Sequence, residues 1–328
     1  MRAASYERTG AAHEVLTVSE LPTPTPGPGE VRVRVQWSGI NPSDVKSRGG
    51  MMGSKLPFAR IIPHSDGAGV IDAIGDGVPL SRVGERVWTW NAAWGRPFGT
   101  AAQYVVLPAA QAVALPEGVP LEAGACLGIP ALTAYQAVAT DGGVLGKSVL
   151  VTGGAGGVGH YAVQLARLLG ARQVLATVSS PEKARLAQAA GADHVLDYKR
   201  EDVAARAKAL TGGRGVDRII EVDLAANLQQ DLQAVRADGE WVVYGSSARD
   251  VPMPFGPLIF KNIGVRFFIV YHLSAEDRAR ALAHLTALLA RGALQHNIAE
   301  RLPLERIADA HALVEGGKAL GNVVLEVA

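Results

Sequence analysis

A chain of 328 residues with 48% hydrophobic and 19% charged residues carries enough apolar material for two buried cores. Its 32 Lys and Arg balance 31 Asp and Glu, so no excess charge drives binding along nucleic acid or to an anionic membrane surface. The single cysteine, Cys126, excludes an intramolecular disulfide and any site built from clustered thiolates.

The opening MRAASYERTGAAHEV lacks the apolar core of a secretory signal, with Glu7, Arg8, His13 and Glu14 interrupting it. A mature chain starting at or near Met1 and residing in the cytoplasm is expected. Pro22, Pro24, Pro26 and Pro28 come too early to follow a complete domain and read as an extended surface loop. VRVRVQW then alternates, with Val31, Val33 and Val35 on one face and Arg32 and Arg34 on the other, the period of a half-buried antiparallel strand. GVIDAIG, ERVWTW and AAQYVVL are similar short runs, and together they predict a small, mostly antiparallel β domain. Trp88 in ERVW reads as core; Trp94 and Phe98, flanked by Gly95, Pro97 and Gly99, read as a loop facing substrate. The uncharged stretch Ala123 to Thr140 approaches the length of a membrane span, but Gly124, Gly128, Pro130, Thr133 and Gln136 mark it as a buried loop and helix. Cys126 within it reads as a buried small hydrophobe.

From about Leu145 the rhythm changes. SVLVTG is an apolar run of the kind buried on both faces in parallel sheets, and VGHYAVQLARLLG follows with Val158, Ala162, Leu165 and Leu169 at helical spacing. QVLATV, a helix opened by Ser180 and Pro181, HVLDY, EDVAARAKAL, DRIIEV and WVVYG continue the alternation, which predicts a doubly wound parallel sheet. A long helix, AEDRARALAHLTALLARG, and a last strand, NVVLEV, close the chain.

GGAGGVG contains Gly154-x-Gly156-x-x-Gly159 between a strand and a helix, the context in which glycines allow a tight turn and close approach of backbone to a pyrophosphate. A ligand-free strand-to-helix turn is the competing reading. Sites for the unphosphorylated dinucleotide place a carboxylate at the tip of the second strand. Here that tip reads Thr177-Val178-Ser179-Ser180-Pro181-Glu182-Lys183, and Ser179 and Lys183, with Tyr198 after the third strand, suit a 2′-phosphate. NADPH is the expected cofactor. Ser180 is expected to cap the following helix, and the same pattern also fits Lys183 as a solvated surface charge.

SGINPSDVKSRGG, HSDGAGVIDAIGDGV, GERVW, GIPALTAYQAV, VLVTGGAGGVG, GADHVLDY and PLERIADAHALVEGGKALGNVVLEV, in this order, resemble the medium-chain dehydrogenase/reductase superfamily, specifically its zinc-free quinone oxidoreductase (zeta-crystallin-like) branch. The likeness spans nearly the whole chain. It implies an α/β protein: a GroES-like, mostly antiparallel β catalytic domain over 1–120 and 272–328, and a doubly wound Rossmann dinucleotide domain over 121–271. NVVLEV would then return to the first domain. Residue by residue, the resemblance sets Asn41 and Lys46 at the active-site cleft near the nicotinamide, and Thr133 against its amide. Gly154, Ala155, Gly156, Gly157, Val158 and Gly159 would cradle the pyrophosphate. Tyr244, Gly245, Ser246, Phe268, Ile269, Val270 and Asn322 would line the rest of the cofactor. Several relatives differ where Lys46 stands, and some carry glycine-lysine where this chain has Gly321-Asn322; both departures bear on the substrate more than on the cofactor.

The zinc-binding branch has a cysteine in the loop where this chain reads Ser38-Gly39-Ile40-Asn41, a His-Glu pair in place of Ser65-Asp66, and a four-cysteine lobe. None of these ligands is present, so no metal is expected, and His64 reads as a polar residue lining or flanking the cleft. Without a Lewis acid, the expected acceptor is a quinone, or alternatively an enone or acrylyl compound, since both take up hydride readily. Lys46 or Asn41 would stabilise the developing oxyanion; Asn41, ahead of Pro42 in a turn-like N-P-S-D, equally fits a purely structural role. Some relatives are abundant structural proteins or bind RNA, so a cofactor-binding protein with little turnover stays open; the balanced charge argues against RNA. The family also implies a homodimer or homotetramer, with GVRFFIVYHL as the apolar edge strand in the contact.

Overall fold

Strands β1 (Arg2–Ser5) and β2 (Thr17–Glu20) pair antiparallel around the short helix α1 (Ala12–Val15) and lead through the proline-bearing stretch into β3 (Glu30–Ile40). The alternation in β3 is realised in space: Val31, Val33 and Val35 are fully buried, Arg34 is exposed, and Arg32 reaches across to both carboxylate oxygens of Asp72, each 2.9 Å away. Where the N-P-S-D sequence suggested a turn, the chain forms a helix, α2 (Pro42–Arg48). Asn41 is its N-cap in a capping box with Asp44, and Pro42 occupies the first helical position, where a missing N–H costs nothing.

Next come β4 (Asp66–Ile74), β5 (Arg86–Thr89), β6 (Tyr104–Pro108) and β7 (Ala112–Ala114), then α3 (Leu121–Gly124), a π-helical turn over Leu127–Ala131 and α4 (Leu132–Ala139). Every residue from Ala123 to Val138 is buried. No helix among the described residues is long and apolar enough to cross a membrane.

The parallel part follows: β8 (Ser148–Val151), α5 (Gly157–Leu168), β9 (Gln173–Val178), α6 (Pro181–Ala189), β10 (His194–Asp197), α7 (Val203–Leu210), β11 (Val216–Glu221), α8 (Leu224–Ala234), β12 (Val235–Val243), α9 (Phe255–Phe260) and β13 (Gly264–Phe267). These strands form one parallel sheet in the order β10-β9-β8-β11-β12-β13. The buried face of α5 is wider than its spacing suggested: Tyr161 and Val163 are buried beside Ala162 and Leu165, because the helix packs against both the sheet and α4.

The chain continues through α10 (Ala275–Ala290), β14 (Ile298–Pro303), α11 (Ile307–Glu315) and β15 (Asn322–Glu326). As the family resemblance implied, β15 pairs with β3 and completes the first sheet, ordered β14-β15-β3-β4-β5-β7 with β6 also on β3. This computed structural model describes residues 1–51, 53 and 55–328. They divide into one unit of Met1–Pro130 with Thr286–Ala328 and a second of Ala131–Leu285, which corresponds to the GroES-like and Rossmann architectures respectively.

In the second unit a charged residue sits inside the sheet. Arg218 of β11 is fully buried; it pairs with Glu240 Oε2 at 2.6 Å and donates to the carbonyls of Val138 and Thr140 at 3.1 and 2.9 Å, satisfying the end of α4. Arg218→Met fills the volume but strands those carbonyls, and urea denaturation is expected to register a loss of about 3 kcal/mol, the scale of a broken buried pair. A variant as stable as the parent would show that this arginine does not hold α4 to the sheet.

Candidate functional site

The strand order reverses direction between β8 and β11: from β8 the chain winds outward through β9 and β10, and from β11 it winds the other way through β12 and β13. In such sheets the crevice outside the carboxyl ends at the reversal is the ligand site. The residues that follow β8 there are Thr152 to Gly156. Thr152 Oγ1 donates to Ile220 O at 3.1 Å and accepts from Val222 N at 2.9 Å, while Gly153 N and Gly154 N donate to Thr177 at 2.9 and 3.0 Å, so the turn is stitched to both neighbouring strands.

The glycines have different tasks. A Cβ on Gly154 would stand 2.6 Å from the Ala176 side chain, and one on Gly159 would stand 2.1 Å from Gly153 O, so both permit helix and turn to touch. Gly156 is exposed and caps α5 without a side chain, leaving the amides of the first turn, Gly157 to Gly159, to face an anion together with the positive end of a twelve-residue helix. Ala155 is buried against the turn.

At the neighbouring strand tips, Ser180 accepts from Lys183 N at 3.3 Å and caps α6, as its place before Pro181 predicted. Ser179 and the Lys183 side chain are half-buried, and Tyr198 N donates to Val178 O at 3.1 Å with the residue 51% exposed. Backbone pairing therefore brings Ser179 and Tyr198 to one corner, with Lys183 in the first helical turn beside it, and no carboxylate ends β9.

Beyond β12 and β13 a pocket of about 500 Å³ gathers Tyr244, Gly245, Ser246, Phe268 and Ile269 with Leu224. A Cβ on Gly245 would lie 2.2 Å from Val222 O, so only glycine fits that wall. The Tyr244 and Phe268 rings stand 6.5 Å apart, and burial together with nearby Glu221 pushes the Tyr244 hydroxyl above its ordinary range. Val270 is buried with its carbonyl held by Arg278 at 2.6 Å, and Thr133 is buried on α4. Glu221 and Asp231 were not anticipated: both are fully buried, and burial plus the neighbouring Glu221 raises Asp231 well above the usual carboxyl range.

In the first unit, Asn41 is buried and its Nδ2 donates to Asp66 Oδ2 at 2.9 Å, an oxygen that also accepts from Ile129 N at 3.1 Å. Burial raises Asp66 well above its ordinary range and pushes Asp44 up to about 7. Lys46 is half-buried on α2. Asn322 donates through Nδ2 to Asn297 O at 3.1 Å, and the pairing of Val323 with Ile40 sets it at the same sheet end as Asn41. Trp88 is fully buried, whereas Trp94 and Phe98 are 41% and 46% exposed.

His64 does not line a surface. It is fully buried with φ +78°, its Nδ1 2.8 Å from Ser38 Oγ and its Nε2 2.9 Å from Nε2 of His311, a residue the sequence reading did not single out. The inward turn of the backbone at His64 and the partner on α11 account for the difference. Cys126 is buried, and burial pushes its thiol far above the range of a nucleophile. Among the described residues no three His, Cys, Asp or Glu side chains are grouped to hold a metal ion.

The alcohol dehydrogenase GroES-like domain family matches residues 27–117 and the zinc-binding dehydrogenase family residues 157–287. Human quinone oxidoreductase is 33% identical over 88% of this chain and 86% of its own length. A 2-haloacrylate reductase from a Burkholderia species is 31% identical over 81% of this chain and 80% of its own. Among solved structures, an NAD-dependent alcohol dehydrogenase superimposes with a TM-score of 0.92 at 32% identity, covering 100% of both chains. A mycobacterial protein complexed with NADPH gives 0.89 at 30% identity, covering 99% of this chain and 100% of its own. Fold, strand order and sequence similarity over nearly the full length agree: the chain belongs to the quinone oxidoreductase family of the medium-chain dehydrogenase/reductase oxidoreductases.

Proposed function

We propose that this oxidoreductase uses NADPH to reduce quinones without zinc. The observation that carries the cofactor is the corner of Ser179, Lys183 and Tyr198, where hydroxyls and a cation stand and β9 ends without a carboxylate. The turn at Gly154 to Gly159 would hold the pyrophosphate, with space only for backbone at Gly154 and Gly159. In the second unit the Tyr244 to Ser246 and Phe268 to Val270 segments and Thr133 would line the cofactor; in the first, Asn41, Lys46 and Asn322 would serve the acceptor. When bound, NADPH supplies a hydride, and with one proton from solvent a quinone becomes a hydroquinone.

The protein's part is to orient the acceptor, exclude water and stabilise the oxyanion. One amide hydrogen of Asn41 is committed to Asp66, which leaves the other for the acceptor oxygen. Zinc does not enter this reading because the donors do not fit it: Asn41, Ser65 and Asp66 offer no thiolate, and the imidazoles of His64 and His311 are turned on each other in the core. Reduction of an activated double bond is the second reading, supported by the similarity to 2-haloacrylate reductase.

Oxidation of NADPH, followed by its absorbance, is expected with ortho- or para-quinones and to persist in the presence of a chelator; enones turned over at higher kcat/KM than any quinone would favour the second reading. Tight NADPH binding with no acceptor consumed would favour a binding protein over an enzyme. Lys183→Glu is expected to raise KM for NADPH about tenfold, equivalent to about 1.4 kcal/mol, with a smaller effect on NADH. Unchanged NADPH affinity would remove the 2′-phosphate assignment. We further propose a homodimer through β13, the outer strand of the parallel sheet, where Phe267 is 59% exposed. Light scattering is expected to give twice the chain mass for the parent and the single mass for Phe267→Glu; a monomeric parent would exclude this contact.

A further inference from the structure

The buried polar groups of the first unit form a circuit around α2 whose hydrogens have only one consistent arrangement. Thr100 Oγ1 lies 2.5 Å from the Asp66 carbonyl oxygen, and because a carbonyl only accepts, the Thr100 hydroxyl hydrogen is committed to it. Ser38 Oγ, 2.8 Å from Thr100 Oγ1, must then donate to the threonine. With the serine hydrogen so placed, His64 Nδ1, 2.8 Å from Ser38 Oγ, has to carry a proton. A neutral His64 therefore presents a bare Nε2, and His311 Nε2, 2.9 Å away, is the donor to it. Neutrality is what burial imposes: His64 is held well below its ordinary pKa, and His311 is pushed down to about 3 by burial and by the charge of Arg48.

Every link points one way, from His311 through His64, Ser38 and Thr100 to Asp66. The two ends of this relay meet the two ends of one helix. At the Asp66 end, the carboxyl accepts from Asn41, the N-cap of α2. At the His311 end stands Arg48, the last residue of α2, whose Nη2 donates at 2.6 Å to Glu315 on α11, the helix that carries His311. The left-handed backbone of His64, unfavourable for a residue with a Cβ, is the local cost of aiming its ring between Ser38 and His311.

We propose that His311 is a positioning residue: through this one-way relay it fixes the Asp66 backbone, and Asp66 in turn orients the Asn41 amide toward the acceptor. The role rests on the reading above, in which Asn41 faces the acceptor. It predicts the less common imidazole tautomer, Nδ1–H, at His64 and Nε2–H at His311.

The test uses the full-length protein labelled with ¹⁵N. The ring nitrogens are expected to report Nδ1–H at His64 and Nε2–H at His311, with both rings neutral at neutral pH. An Nε2–H proton at His64 would overturn the relay. His311→Leu removes the donor, whereas His311→Gln restores an N–H. The leucine variant is expected to shift the Asn41 side-chain amide resonance and lower quinone kcat about tenfold with NADPH Kd unchanged, and the glutamine variant to recover both. Thr100→Val breaks the relay at its far end with almost no change of shape and is expected to shift the same resonance, so the test survives a His311 variant that fails to fold. An unshifted Asn41 amide in a folded variant would overturn the relay. A shifted amide with unchanged quinone kcat would overturn the positioning role and locate the failure in the reading of Asn41 as a group that faces the acceptor.

Discussion

The turn after β8 is the constraint on which the second unit depends. Thr152 reaches β11 through its hydroxyl, Gly153 and Gly154 reach β9 through their amides, and no side chain larger than hydrogen fits at Gly154 or Gly159. With the turn tied on both sides, α5 starts at a fixed height above the sheet, and its unpaired amides are aimed before any ligand arrives. The strand order then places the corner of Ser179 and Tyr198 on one side of that turn and the Tyr244 and Phe268 pocket on the other. One set of hydrogen bonds thereby determines the spacing of the turn, the corner and the pocket.

The first unit solves a different problem, that of keeping hydroxyls and imidazoles inside a core uncharged. Ser38, His64, Thr100 and His311 are all fully buried, and each finds its partner in another of the set or in backbone. Although His311 Nδ1 and Asp66 Oδ1 are left without partners, the network is rigid because any one rotation strands a further neighbour in a medium that cannot hydrate it. Asp66 belongs both to this network and to the contacts of Asn41, so the stiffness of the core is transmitted to the polar end of α2.

Much of this was legible in the sequence where local periodicity or a covalent peculiarity carries the information. The alternating valines of β3, the apolar runs of the parallel sheet, the spacing of Gly154, Gly156 and Gly159, and Ser180 before Pro181 each report a face, a turn or a cap within a few residues. Helix α2 was missed because Pro42 after Asn41 is as good a turn signal as a helix start; the Asp44 that completes the capping box was the available clue. The buried pairs had no such signal. His64 and His311 lie 247 positions apart, Arg218 answers carbonyls about 80 residues earlier, and Asp231 meets Glu221 across a strand-to-helix crossover. Such partners are made by topology, and one residue of a pair says nothing about where the other will arrive.

The return of β15 to β3 has a consequence for how the protein is made. During synthesis, residues 131–285 leave the ribosome as a contiguous stretch and can form their own sheet, while β3 has its partners β4 and β6 but lacks β15 until Asn322–Glu326 emerge. Through that interval one side of β3 stands open from Trp37 to Ile40, and for most of it His311 has not been made. The interior polar network therefore closes only after His311 has been made, and the unit begun first is the one completed last.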